Sequence, residues 1–105
     1  EIEYKTCLTS MDELQIYRII QEAVNNIIKY SDAEAAIITM NEHKEKLTIE
    51  IKDNGKGFNV DETLSSKKSF GLYNIIERSK AINGLATIVS NQNGTTIKIE
   101  IQNKN

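Results

Sequence analysis

The sequence predicts an α/β fold, a single domain over residues 1–105 in which one mixed sheet carries helices on one face. Three observations predict it. Short runs rich in Ile and Thr read as half-buried strands. Two other segments repeat apolar residues at helical spacing. Their order, strand, helix, two strands, long loop, helix, two strands, is met most simply by layering the helices on a common sheet. A chain of 105 residues has room for one modest core but not two.

Each element has its own signal. Ile2 to Cys7 alternates as a strand does, and Ser10-Met11-Asp12-Glu13 is a Ser-x-x-Glu capping box ahead of an apolar period. A helix is expected to start there. At about 100° per residue, Ile16, Ile19, Ile20, Ala23, Val24, Ile27 and Ile28 share one arc, and Arg18, Gln21, Glu22, Asn25 and Lys29 share the other. Ala35 to Met40 and Lys46 to Lys52 form a hairpin across Asn41-Glu42-His43-Lys44. From Asn54 to Ser69 the apolar pattern stops, and so long a loop in a compact domain implies a use for it. A second helix runs from about Phe70 with Leu72, Ile75, Ile76 and Ile82 at helical spacing, and Gly84 stands where a left-handed cap belongs. Leu85 to Val89 and Thr96 to Ile101 bracket the turn signal Asn91-Gln92-Asn93-Gly94.

Composition removes several functions. A net charge of −2 gives no basic face for a nucleic-acid duplex. No apolar run approaches the roughly 20 residues of a membrane span. The single cysteine, Cys7, makes no internal disulfide, and a reducing compartment fits it. No secretory or transit signal opens the chain, which begins in strand-like sequence at Glu1 as a piece of a larger protein would. His43 is the only histidine and sits in a charged turn, and no zinc-ligand spacing, paired nucleophile and base, or aromatic platform occurs.

Four segments carry chemistry. In Glu22-Ala23-Val24-Asn25-Asn26-Ile27-Ile28-Lys29, Asn25 points to the middle of the polar arc. Asn26 lies at its edge, half buried and one turn from Glu22. Asparagine is a poor helix former, so a mid-helix pair calls for an explanation. A magnesium ion, which takes a few protein oxygens and completes its shell with water and phosphate, supplies one, with Glu22 placed to accept a proton. A solvated polar face is the plainer account of the same residues. Asp53-Asn54-Gly55-Lys56-Gly57-Phe58 ends a strand with a carboxylate that could accept from the exocyclic amine of adenine, beside glycines that let backbone approach the ring. An Asp-Asn-Gly turn explains it equally. Ser69-Phe70-Gly71-Leu72 opens the second helix, where free amides and the helix dipole favour an anion and where Lys67 and Lys68 stand close in sequence. Gly94-Thr95-Thr96 adds a hydroxyl near these, or merely a hairpin turn. No Gly-x-x-x-x-Gly-Lys-Ser/Thr P-loop occurs.

Taken in order, these segments resemble the ATP-binding catalytic domain of sensor histidine kinases, in the superfamily shared with gyrase, Hsp90-type and MutL-type ATPases. Gln21 to Tyr30 looks like the N box, Asp53 to Phe58 the G1 box, Gly71 to Arg78 the G2 box, and Gly94-Thr95-Thr96 the last glycine-threonine element. The Gln-Glu-Ala opening and the Gly-Leu…Glu-Arg run are similar to the nitrate-responsive and desaturase-controlling sensors. The pattern departs at Ser69, Ile76 and Gln92, and Tyr30 stands where that subfamily often has His.

The resemblance implies the two-layer α/β sandwich called the Bergerat fold, with ATP and Mg2+ as ligands. It places Asn26 on magnesium, Asp53 on adenine, and Lys29 and Thr95 among the nucleotide-binding residues. Glu22 would be the base-like or water-orienting carboxylate, Gly55 and Gly57 would line the base pocket, and Gly71 with Leu72 would close a lid near the phosphates. The implied reaction moves the γ-phosphoryl of ATP to a histidine on a separate dimerisation domain, with a response regulator as the next partner and a homodimeric parent protein. It implies a cytoplasmic domain and leaves open a membrane anchor elsewhere in the parent. Two other functions share the fold: an anti-sigma factor that phosphorylates serine on a partner, and an interaction module without nucleotide.

Overall fold

The structure is a computed structural model that describes residues 8–44, 46–57 and 71–102, so the strand expected over Ile2 to Cys7 and most of the long loop lie outside the described residues. Helix α1 spans Ser10–Asn26. Its capping box sits one residue earlier than Ser10 and Glu13 suggest. Thr9 Oγ1 accepts from the Asp12 amide at 3.0 Å, and Asp12 Oδ2 accepts from the Thr9 amide at 3.1 Å. Two overlapping boxes are written in the sequence, and this one uses the carboxylate that is buried while Glu13 stays in solvent.

Ile16, Ile19 and Ala23 are buried as the apolar arc requires, with Ile20 and Ile27 packed at its margin. Ile28 is not: it is 75 % exposed. The helix widens there into a π turn, Ile27–Ser31, which ends in left-handed Asp32 at φ 55°. The extra residue in that turn shifts the phase of the arc, so the 100° step no longer applies. Ser31 Oγ donates to the Ile27 carbonyl at 2.8 Å and accepts from the Ala33 amide at 3.1 Å, closing the turn.

Strands β1 (Ala36–His43) and β2 (Lys46–Asp53) pair antiparallel down to His43 opposite Lys46. Asn41, Glu42 and His43, expected in the connection, are therefore in the ladder. Helix α2 covers Leu72–Ala81, followed by β3 (Gly84–Asn91) and β4 (Gly94–Gln102). The left-handed residue after α2 is Asn83 at φ 59°, not Gly84. Asparagine tolerates that conformation through its short polar side chain. Gly84 instead starts β3 against the helix end, where a Cβ would stand 3.1 Å from the Ser79 carbonyl oxygen.

The sheet order is β1-β2-β4-β3, and every pairing among the described residues is antiparallel. The expected mixed sheet included a strand over Ile2 to Cys7, which lies outside the described residues. The connection through α2 lands two positions from β2, and β4 returns between, antiparallel to both. The central strands β2 and β4 alternate so that Leu47, Ile49 and Ile51 face the helices opposite Ile101, Ile99 and Ile97. Leu72, Ile75 and Ile82 of the α2 segment complete this core. The outer face of these strands is polar: Glu100 takes Lys46 at 2.8 Å and Lys98 at 3.8 Å. The result is two helices layered on one face of a four-stranded sheet.

Candidate functional site

The parity that buries the isoleucines also builds a floor at one end of the sheet. Ile51 is the cross-strand partner of Ile97, and Asp53 that of Thr95. These four residues line a cavity of about 210 Å³. Ala23 and Asn26, one turn apart on α1, form one wall, with Ile27 and Ser31 of the π turn beside them, and Leu72 closes it from the first residue of α2. Sites that enclose a whole drug-sized ligand run roughly 300–1,000 Å³. This one suits a single ring system, with the rest of a larger ligand reaching outside.

Asp53 is fixed by its own loop. Its Oδ1 accepts from the Gly55 amide at 2.8 Å, which leaves the second oxygen without a partner among the described residues. The loop is in turn stapled to the segment after α1. The Lys56 amide donates to the Ser31 carbonyl at 2.9 Å, and Asn54 Oδ1 accepts from the amides of Glu34 and Ala35 at 2.9 and 3.0 Å. Gly55 is buried in this staple, where any Cβ would overlap the Ser31 carbonyl. It therefore shapes the loop without lining the cavity. Gly57, at φ 72°, does line it and passes against the Asn91 carbonyl of the β3–β4 hairpin.

Asn26 is the unusual wall residue. It is half buried, and its Nδ2 is buried with no hydrogen-bond partner among the described residues. A buried amide left unpaired costs roughly 1–3 kcal/mol, a cost that a ligand in the cavity would offset. The two ends of the amide exchange by a half-turn at almost no steric cost, so the side chain can present either a donor or the oxygen a magnesium ion requires. Thr95 is 5 % exposed and shares its hydroxyl with Ser90 Oγ at 2.7 Å.

Of the residues singled out from the sequence, Asn26, Asp53, Gly57, Leu72 and Thr95 meet at the cavity. Glu22, Lys29, Gly55 and Gly71 do not line it. Lys29 is exposed on the π turn. Glu22 sits one turn before Asn26 on α1, against Gly71, and its Oε1 accepts from Asn74 Nδ2 at 3.2 Å. Ile51, Ile97, Ala23 and Ser31 were missed. Strand parity points to the first two, each two residues from a named polar partner, and helical spacing points to Ala23. Ser31 had no comparable signal.

Comparison with known proteins agrees with this architecture. Residues 11–105 match the family described as histidine kinase-, DNA gyrase B-, and HSP90-like ATPase. The signal transduction histidine-protein kinase/phosphatase DegS of Brevibacillus brevis is 41% identical over 90 residues, 85% of this chain and 23% of that protein. The sensor histidine kinase LiaS of Bacillus subtilis is 32% identical over 97 residues, 91% of this chain and 26% of that protein. This chain thus spans about a quarter of the length of these curated relatives. Among solved structures, the Acinetobacter baumannii histidine kinase AdeS superposes with a TM-score of 0.76 at 20% identity, covering 88% of this chain and 47% of that one, a likeness of fold. The chain belongs to the histidine kinase-, DNA gyrase B- and HSP90-like ATPase family, as an ATP-binding domain built on the fold that its sheet and two helices form.

Proposed function

We propose that this chain is the catalytic domain of a sensor histidine kinase, which binds Mg-ATP with adenine in the cavity and passes the γ-phosphoryl to a histidine on a separate dimerisation domain. The buried, unpaired amide of Asn26 on the cavity wall carries the reading. The sensor kinases among its relatives support it.

Asp53 accepts from the exocyclic amine of adenine and turns away guanine, whose carbonyl at that place would face a carboxylate. Ile51, Ile97 and Leu72 give the ring an apolar slot, Gly57 lets backbone approach it, and Thr95 supplies a hydroxyl at its edge. Gly55 keeps the loop in register through Ser31. Asn26 provides one oxygen for Mg2+, whose charge, when bound, offsets that of the phosphates. Lys29 on the exposed π turn is a cation within sequence reach of the same end of α1. Gly71 with Leu72 forms the lid base, and Glu22 is the base-like carboxylate. Positioning and charge neutralisation do most of the work in such a transfer. The parent protein is a homodimer that hands its phosphoryl group to a response regulator.

Calorimetry with Mg-ATP and Mg-GTP tests the ligand. Binding of Mg-ATP with Mg-GTP much weaker is expected, and no heat at millimolar Mg-ATP would overturn the reading. Incubating the full-length protein with γ-labelled ATP tests the transfer, with acid-labile, base-stable label as the expected product.

A further inference from the structure

Glu22 and Asn74 lie 52 positions apart on different helices, yet Asn74 Nδ2 donates to Glu22 Oε1 at 3.2 Å. A second contact fixes the same carboxylate. Gly71, the N-cap of α2 at φ 74°, packs so closely on it that a Cβ there would overlap Oε1. Among the described residues no side chain caps α2 at Gly71, so the positive end of that helix faces an acidic group from α1. Left to itself, a partly exposed glutamate on a helix spreads over several rotamers. A base has to stand within hydrogen-bond reach of the proton it takes, and small displacements cost rate.

We propose that Asn74 is the positioning residue for Glu22, holding the carboxylate over Gly71 in the orientation that the phosphoryl transfer uses. The inference rests on the reading of Glu22 as the base-like group. The chemistry of the partner fits that task. A neutral amide orients a carboxylate without the competing ion pair that a lysine or arginine would form, and without the repulsion of an aspartate. The cation on the same face of α2, Arg78, is engaged elsewhere: its Nη1 donates to Gln15 Oε1 at 2.9 Å, two turns back along α1. Gly71 is needed here for space as much as for its positive φ, because any side chain would push Glu22 off the asparagine.

The test is single-turnover phosphorylation of the full-length protein by labelled ATP, with Asn74→Ala, Asn74→Asp and Asn74→Gln each made alone and Asn74→Ala also combined with Glu22→Gln. Loss of the donor in Asn74→Ala and Asn74→Asp is expected to lower the rate at saturating Mg-ATP by roughly three- to tenfold, the worth of one hydrogen bond. The half-saturating ATP concentration should move by less than about twofold, because the interaction serves the transition state. Asn74→Gln, which keeps a donor, should recover most of the rate. In the Glu22→Gln background, Asn74→Ala should add nothing. Equal penalties in both backgrounds, or a shift in half-saturation with the rate intact, would overturn the inference while leaving the kinase reading in place. Failure of the unmutated protein to bind Mg-ATP would overturn the kinase reading and this inference with it.

Discussion

Gly94 crosses directly over the backbone carbonyl of Asp53, so that a Cβ at Gly94 would overlap the Asp53 oxygen and crowd Asn54 Cα at 3.1 Å, closer than van der Waals contact. The last turn of the sheet and the loop that carries the cavity carboxylate are thus in contact. Gly94 also has φ 135°, a conformation that side chains rarely adopt. Gly94→Ala is expected to lower stability by about 1–3 kcal/mol and to weaken nucleotide binding at the same time, since relief of the overlap moves Asp53 or Thr95. Urea unfolding and ATP titration of one preparation check both. A variant that loses stability while binding as before would separate the turn from the site.

Asn26→Ala should divide stability from affinity. The unpaired amide is a cost in the empty domain, so its removal should leave the melting temperature unchanged or slightly raised, apart from the small cavity it creates. Affinity for Mg-ATP should fall, and by more than affinity for magnesium-free adenosine. Equal losses for the two ligands would remove the residue from the metal.

Asp53→Asn keeps an acceptor for the Gly55 amide, so the loop should hold its shape. The charge and the second carboxylate oxygen are lost. ATP binding is expected to weaken by about 1–3 kcal/mol, with a smaller margin over GTP because an amide can donate to the guanine carbonyl. Competition titrations with the two nucleotides measure it.

Glu100 is held below the usual carboxylate range, first by its hydrogen bond from Lys46 and then by the charges of Lys46 and Lys98. A depressed carboxylate contributes stability that is present above its unfolded value and is lost as pH falls through its folded value. Lys46→Gln should therefore destabilise the domain slightly at neutral pH, with the difference shrinking in acid and in high salt. Thermal melts of the two proteins across pH and ionic strength show whether it does.

The strands β2 and β4 were legible because the signal is local: runs rich in Ile and Thr mark half-buried strands, and the structure buries Leu47, Ile49, Ile51, Ile97, Ile99 and Ile101 within them. Of the cavity floor only Asp53 and Thr95 were singled out; Ile51 and Ile97 share their parity, but that they stand opposite one another follows from the pairing of β2 with β4. Local signals failed where two of them overlapped. The helix cap fell on Thr9 rather than Ser10, and the left-handed residue on Asn83 rather than Gly84, since adjacent residues offered the same chemistry and only packing chose between them.

Ile28 shows a different limit, because the π turn that exposes it is set by closure through Ser31 and by the loop clamped there, not by any residue preference along the helix. By itself the sequence determined the two helices, the two hairpins, most of the buried helix face and the spacing of Glu22 and Asn26 one turn apart, all matters of a few neighbouring residues. The tertiary structure alone decided that β4 runs between β2 and β3, that Gly55 serves Ser31 rather than the cavity, and that Asn74 reaches Glu22. Those contacts join residues far apart in the chain, and their geometry exists only after the helices have docked on the sheet.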